Sequence, residues 1–159
     1  SNLANKTSSN HNVLKFISAP ARLEFLTALA IKSKLPTVEV VPNYPCDDEG
    51  LPTSTAGGNN GDIECFEAPN SILVEVTMAE GRQQTMMEVW PISRHLEEFK
   101  DKYKFENSQC VFVAPSIFAD TKDQIDWAND RKQVIIRPYK IVDFINYLDS
   151  ATTLYCVNI

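Results

Sequence analysis

Apolar and polar positions along the chain fall into short blocks of two different periods. After a polar stretch at residues 1–12, Val13, Leu14, Phe16 and Ile17 predict a short apolar helix or turn. Ser18-Ala19-Pro20 reads as a helix entry, since proline is tolerated in the first turn. Pro20 to Lys34 follows helical spacing, with Leu23, Leu26, Ala30, Phe25 and Leu29 on its apolar side. Val38–Val41 predicts a short edge strand. Two further strands are expected at Asp62–Phe66 and Ile72–Met78, joined by Glu67-Ala68-Pro69-Asn70. Gly81 to about Lys100 reads as a helix that Pro91 should kink or interrupt. Cys110–Ala114 and Val134–Ile136 are apolar enough to be buried strands, Thr121–Arg131 and Ile141–Leu148 are helical, and Leu154–Val157 suggests a terminal strand. Helices alternating with fully apolar strands predict an α/β fold whose sheet is covered on both faces, and the hairpin makes that sheet mixed.

The hairpin carries the first chemical signal. With the loop at Glu67–Asn70, Phe66 faces Ser71, Cys65 faces Ile72, and the register runs down to Asp62 opposite Glu75. Opposed residues share a face with Cβ atoms about 5 Å apart, where two carboxylates repel. A solvated edge strand is one explanation, since such strands often carry charge. Glu75, however, stands inside Ile-Leu-Val-Glu-Val-Thr-Met, and an ionisable group in that setting calls for a partner or a ligand. A hard divalent cation between Asp62 and Glu75, with the Val76 carbonyl as third ligand, satisfies both carboxylates. On the helix that follows, Gln84, Glu88 and His95 recur at spacings of four and seven and share one face. Such a stripe is ordinarily the solvent side; here it follows directly on the Glu75 strand, so the short connection folds it back toward the carboxylates.

Composition narrows the class. Apolar residues make up 43% of the 159 residues and charged ones 23%, as in an ordinary globular domain, and one core suffices for this length. Residues 13–159 are therefore expected to form a single domain behind a disordered 1–12 segment. The net charge of -6 excludes a domain that holds nucleic acid by bulk electrostatics, so any DNA must be delivered by another domain or subunit. No apolar run is long enough for a membrane helix. Cys46, Cys65, Cys110 and Cys156 have no zinc spacing and are expected to be reduced, which suits the cytoplasm. The first residue is serine, as expected of a domain excised from something larger. Trp90 and Trp127 lie on amphipathic helices and are expected to be core anchors.

An Asp at one strand, then Glu-x-Thr on the next, outlines the PD-(D/E)xK nuclease core with proline and lysine replaced. The longer string is more specific. Asn59-Asn60-Gly61-Asp62-Ile63, Ile72-Leu73-Val74-Glu75-Val76-Thr77, Gly81-Arg82-Gln83-Gln84, Glu88 and Arg94-His95-Leu96 together resemble the cleavage domain of AlwI-type type IIS restriction endonucleases and the heterodimeric nicking endonucleases of that group. The resemblance is close over residues 20–100 and elsewhere extends to element order. It implies a restriction-endonuclease-like core with a central mixed sheet flanked by helices, and a bacterial, cytoplasmic enzyme that hydrolyses DNA on one strand. Glu24, Asp62, Glu75, Glu88 and His95 match the family's site. Asp62, Glu75, the Val76 carbonyl and Glu88 would hold Mg²⁺, with Mn²⁺ as a substitute. Thr77 replaces the motif lysine, leaving His95 as base or relay and Gln84 as a water-positioning group. Double-stranded DNA would come from a separate recognition domain or subunit, and a second cleavage domain or partner subunit would cut the other strand. The alternative is a catalytically silent module of the same fold that serves as a scaffold or dimerisation subunit.

Overall fold

A computed structural model describes residues 9–157. Most of the expected 1–12 segment lies outside that range. A 3-10 turn at Leu14–Phe16 leads into α1, Ala19–Lys34, and the chain continues through β1, Glu39–Pro42; β2, Ile63–Glu67; β3, Asn70–Val76; α2, Gly81–Tyr103; β4, Asn107–Ala114; α3, Ala119–Lys132; β5, Ile136–Lys140; and α4, Ile141–Ser150. The five strands lie in sequence order. β1, β2 and β3 are antiparallel neighbours, whereas β3, β4 and β5 run parallel, so the sheet is mixed. Each parallel step needs a crossover longer than a turn, and α2 and α3 supply the two crossovers on one face. Among the described residues no helix is long and apolar enough to cross a membrane.

Two cores sandwich the sheet. On one face Ile63, Cys65, Ile72, Val74, Val111 and Val113 pack on Leu23, Ala28 and Ile31 of α1 and on Ile141, Phe144 and Leu148 of α4. On the other, Leu73, Cys110, Phe112 and Ile136 pack on Val89, Ile92, Leu96 and Phe99 of α2 and on Ile125 of α3. The β2–β3 register is the expected one, with Phe66 opposite Ser71, Cys65 opposite Ile72 and Ile63 opposite Val74; the Glu67–Asn70 pair also closes, leaving a tight turn. A slip by one residue would exchange the faces. It would drive Glu75 into the α1/α4 core and displace Ile72 and Val74, each worth about 1.5–3 kcal/mol when buried.

Four expectations need correction. α2 is not interrupted at Pro91; the bond the proline denies is to the Met87 carbonyl, and Pro91 lies on the open cleft described below, where solvent can replace it. β5 begins at Ile136 rather than Val134 and includes Pro138, which an edge strand tolerates. Leu154–Val157 is not a strand. The Gln109 amide holds it instead, donating to the Cys156 carbonyl at 2.6 Å and accepting from the Cys156 N–H at 3.2 Å. Trp90 and Trp127 are not core anchors, being 49% and 52% exposed. All four cysteines are free, with Cys65 and Cys110 buried and Cys46 exposed.

Candidate active site

At the end of β3 next to α2 the chain leaves a cleft of about 470 Å³. Glu24, Asp62, Glu75, Val76, Thr77, Glu88 and His95 all line it, and none of its lining residues is lysine or arginine. Three elements converge to build it. α1 brings Glu24 from one side, the hairpin brings Asp62 and Glu75 from below, and α2 brings Glu88 and His95 from above. Gly81, at φ +58, makes the sharp entry that folds α2 back over the strand end.

Each carboxylate has a defined holder. The Asp62 Oδ2 accepts the Val76 N–H at 2.8 Å. Glu24 Oε2 accepts the Ala56 N–H at 2.8 Å. Thr77 Oγ1 donates to Glu88 Oε1 at 2.9 Å and itself accepts the Ala79 N–H at 3.0 Å. Thr77 therefore stands at the lysine position as a group that aims Glu88. Glu75 Oε1 meets His95 Nδ1 at 2.9 Å, with both side chains under a tenth exposed. His95 Nε2 reaches the Gly58 carbonyl at 3.2 Å. A carbonyl can only accept, so Nε2 carries a hydrogen, and the Nδ1–Oε1 contact contains a proton shared between His95 and Glu75. Both ring nitrogens are thus engaged, and His95 is a partner of Glu75 rather than a free base.

The electrostatics follow from crowding four acids in a half-buried cleft. Burial, then the Glu75 and Glu24 charges, hold Asp62 well above the ordinary carboxylate range. Burial pushes Glu24 up to about 7, against the pull of the Ala56 N–H. Glu88 is raised by burial, with the Thr77 hydroxyl opposing and Glu75 adding to the effect. His95 is raised by its hydrogen bond to Glu75, against its own burial. The three acids are raised by burial first and by neighbouring negative charge second, and His95 by its bond to Glu75. This donor set fits a hard divalent cation, because oxygen ligands of that charge are what such an ion requires. Among the described residues no group of three or more His, Cys, Asp and Glu is arranged to hold a metal ion. An ion held here would keep several waters, as Mg²⁺ does.

Gln84 does not join the others. It is fully buried, and its amide donates to the Ala79 and Ser116 carbonyls at 3.0 and 2.8 Å while accepting the Phe118 N–H at 3.0 Å. It pins the start of α2 to the β4–α3 loop, and its neighbour Gln83 lines the cleft instead. Sequence reasoning missed the loop at residues 55–60. Ala56 and Gly58 contribute backbone groups to Glu24 and His95, so this segment forms a wall of the site. Its signal was the Gly57-Gly58-Asn59-Asn60-Gly61 run, where backbone rather than side chain faces the cleft. Gly61 is required sterically. A Cβ there would overlap the Leu73 side chain and lie 3.0 Å from Glu75 Oε1. Gly61→Ala is accordingly expected to cost about 1–3 kcal/mol of stability through overpacking, read as a lower urea midpoint, whereas Gly57→Ala, with nothing within 4 Å of the new Cβ, should leave it unchanged.

Comparison with known proteins agrees with this architecture. The family model of the AlwI restriction endonuclease matches residues 4–147. The crystal structure of the small subunit of the heterodimeric restriction endonuclease R.BspD6I is similar at TM-score 0.74 and 26% sequence identity, over 84% of this chain and 70% of that one. No curated protein matches the sequence. With a mixed sheet carrying the Asp62–Glu75 hairpin at its cleft and a family match over most of its length, the chain belongs to the AlwI restriction endonuclease family.

Proposed function

We propose that this chain is the Mg²⁺-dependent cleavage unit of a type IIS-like restriction endonuclease, hydrolysing a phosphodiester bond on one strand of DNA. The observation that carries the reading is the convergence of Glu24, Asp62, Glu75 and Glu88 on a cleft without lysine or arginine. Such a cleft repels a phosphodiester by itself, and a strand can enter only alongside cations. Asp62, Glu75 and the Val76 carbonyl, with Glu88 across the cleft, are the residues that would hold Mg²⁺ or Mn²⁺. The ion, when bound, acidifies a water and neutralises phosphate charge.

The chain's own groups do the rest. In the reaction a water oxygen bonds to phosphorus, one ester bond breaks, and the leaving oxygen takes a proton. Thr77 aims Glu88 into the cleft. His95 fixes the orientation of Glu75 and holds the proton they share, so it is a positioning residue and a proton store. Recognition of a target sequence falls to a separate domain or partner subunit, because an acidic domain supplies no phosphate-binding field of its own.

The test is incubation of the protein with supercoiled plasmid in Mg²⁺, Mn²⁺ and EDTA, alongside titration with Mn²⁺ followed by electron paramagnetic resonance. Nicked circles with either metal and none in EDTA are expected, together with Mn²⁺ binding that Glu75→Ala abolishes. Intact plasmid and unbound Mn²⁺ would leave the scaffold alternative standing in its place.

A further inference from the structure

The far edge of the sheet carries a charge that the fold does not neutralise. Arg137, on the edge strand β5, is only 6% exposed. Among the described residues it forms no ion pair. Its Nη1 donates to the Tyr139 hydroxyl at 3.1 Å and its Nη2 to the Leu154 carbonyl, while the Tyr139 and Tyr147 rings lie 5.8 Å away. None of these partners carries a full negative charge, and the buried Nε has no hydrogen-bond partner at all. An arginine stays charged at any ordinary pH, and a buried charge is costly to keep unless an opposite one accompanies it.

Arg137 also lines a groove of about 410 Å³ along the outer side of β5, with Lys122, Asp126 and Asn129 on its α3 side. The groove shares no residue with the acidic cleft. Its charged residues are Arg137, Lys122 and Asp126. Lys122 holds Asp126 at 2.6 Å in an exposed pair, which leaves the Arg137 charge in excess. In a chain of net charge -6 this is a local reversal of sign. An extended peptide does not suit the groove. The Cys110 N–H bonds the Ile135 carbonyl at 2.8 Å, so the Ile136 backbone groups point away from β4. Asn129 takes both of them, donating to the Ile136 carbonyl at 2.9 Å and accepting its N–H at 2.8 Å. The next outward residue is Pro138, which has no N–H to give. A strand laid along this edge would find it closed.

We infer that this groove binds a phosphate group, with the Arg137 guanidinium as its counter-charge and the Tyr139 hydroxyl and Lys122 ammonium as further donors. The Tyr139 hydroxyl accepts from Arg137 and so keeps its own hydrogen for an incoming oxygen. Phosphate presents oxygens in several directions, so donors from β5 and α3 meet it together; a carboxylate offers two in one plane. A small phosphorylated molecule and a DNA backbone both carry this group. One such site is a point contact, and target binding still falls to another domain or subunit. The inference is independent of the chemistry proposed for the cleft.

Inorganic phosphate is the probe, in EDTA, where the acidic cleft repels it. Calorimetry at fixed ionic strength should show one site with a dissociation constant of about 1 mM or tighter, and no binding of acetate. Phosphate should also move the Arg137 Nε–H signal in a nitrogen-15 spectrum, a signal that Arg137→Gln removes together with binding. Tyr139→Phe should weaken binding about 10-fold and Lys122→Ala about 3-fold. These two variants keep the test decisive if Arg137→Gln does not fold, since one retains the ring and the other is on the surface. A short DNA duplex names the source. Movement of the same signal by the duplex identifies a backbone phosphate, and movement by inorganic phosphate alone identifies a small phosphorylated molecule. No saturable phosphate binding, an equal response to acetate, or full binding in both Tyr139→Phe and Lys122→Ala would each overturn the inference.

Discussion

Asp62→Asn should abolish metal-dependent cleavage, by about 10³-fold or more, and at the same time raise the melting temperature of the metal-free protein. The two effects have one cause. Asp62 is held well above the ordinary carboxylate range by burial and by the Glu75 and Glu24 charges, so its ionised form is stored at a cost to the fold. Asparagine removes that charge while its carbonyl oxygen can still accept the Val76 N–H that Asp62 takes at 2.8 Å. For a chain of this size each kcal/mol recovered is worth roughly 2–4 °C, and a rise of several degrees at pH 8 is expected in a calorimetric scan. Activity and stability moving in opposite directions is what a site built for a cation predicts. Nicking that survives the substitution would place the metal elsewhere. A melting temperature that falls would show that Asp62 carries no strain, and the convergence of the acids would lose its meaning.

Much of this site could be read before the fold was known, because it depends on period-two geometry. The hairpin register follows from the turn at Ala68-Pro69 and from which residues must be buried, and it runs to Ile63 opposite Val74, one step short of Asp62 and Glu75, so bringing those two acids together needed no tertiary information. Glu24 was reachable through resemblance alone, since nothing local marks one helix glutamate from another. Gln84 shows the limit of helical periodicity. It shares a face with Glu88 and His95, but it sits a turn earlier, where Ala79 and the β4–α3 loop together take up its amide. Helical spacing gives direction around an axis and says nothing of what lies opposite at each height.

The other misreadings have the same origin. Trp90 and Trp127 occupy positions whose outward direction depends on how α2 and α3 pack together, and that packing is non-local. The loop at residues 55–60 acts through Ala56 N–H and the Gly58 carbonyl, which every residue possesses, so no side-chain motif could reveal it. Pro91 reads as a helix breaker because the sequence does not show that it lies against an open cleft.

The metal-free protein should lose stability as pH rises from about 5 to 8, and Mg²⁺ or Mn²⁺ should restore it. Glu24 has a folded-state value of about 7 against 4.5 for the free side chain, so the folded protein binds more protons than the unfolded chain between those limits. Stability is then fully present below about 4.5 and falls as pH climbs to about 7, by on the order of 3 kcal/mol for this group alone. Asp62, also raised, acts in the same direction. His95 does too: its value is lifted by Glu75, so its contribution is complete below 6.5 and is lost as pH rises through the folded value. An ordinary acid-rich protein with salt-bridged carboxylates behaves oppositely and is weakened by acid. A divalent ion binding only the folded state adds about 2.7 kcal/mol at a hundredfold excess over its dissociation constant, enough to offset most of the loss. Thermal denaturation at pH 5 and pH 8, with EDTA and with Mg²⁺, reads all of this directly, and Glu24→Gln should flatten the metal-free pH dependence. A metal-free protein more stable at pH 8 than at pH 5, or one indifferent to divalent ions, would mean that the four acids do not share one cleft in solution.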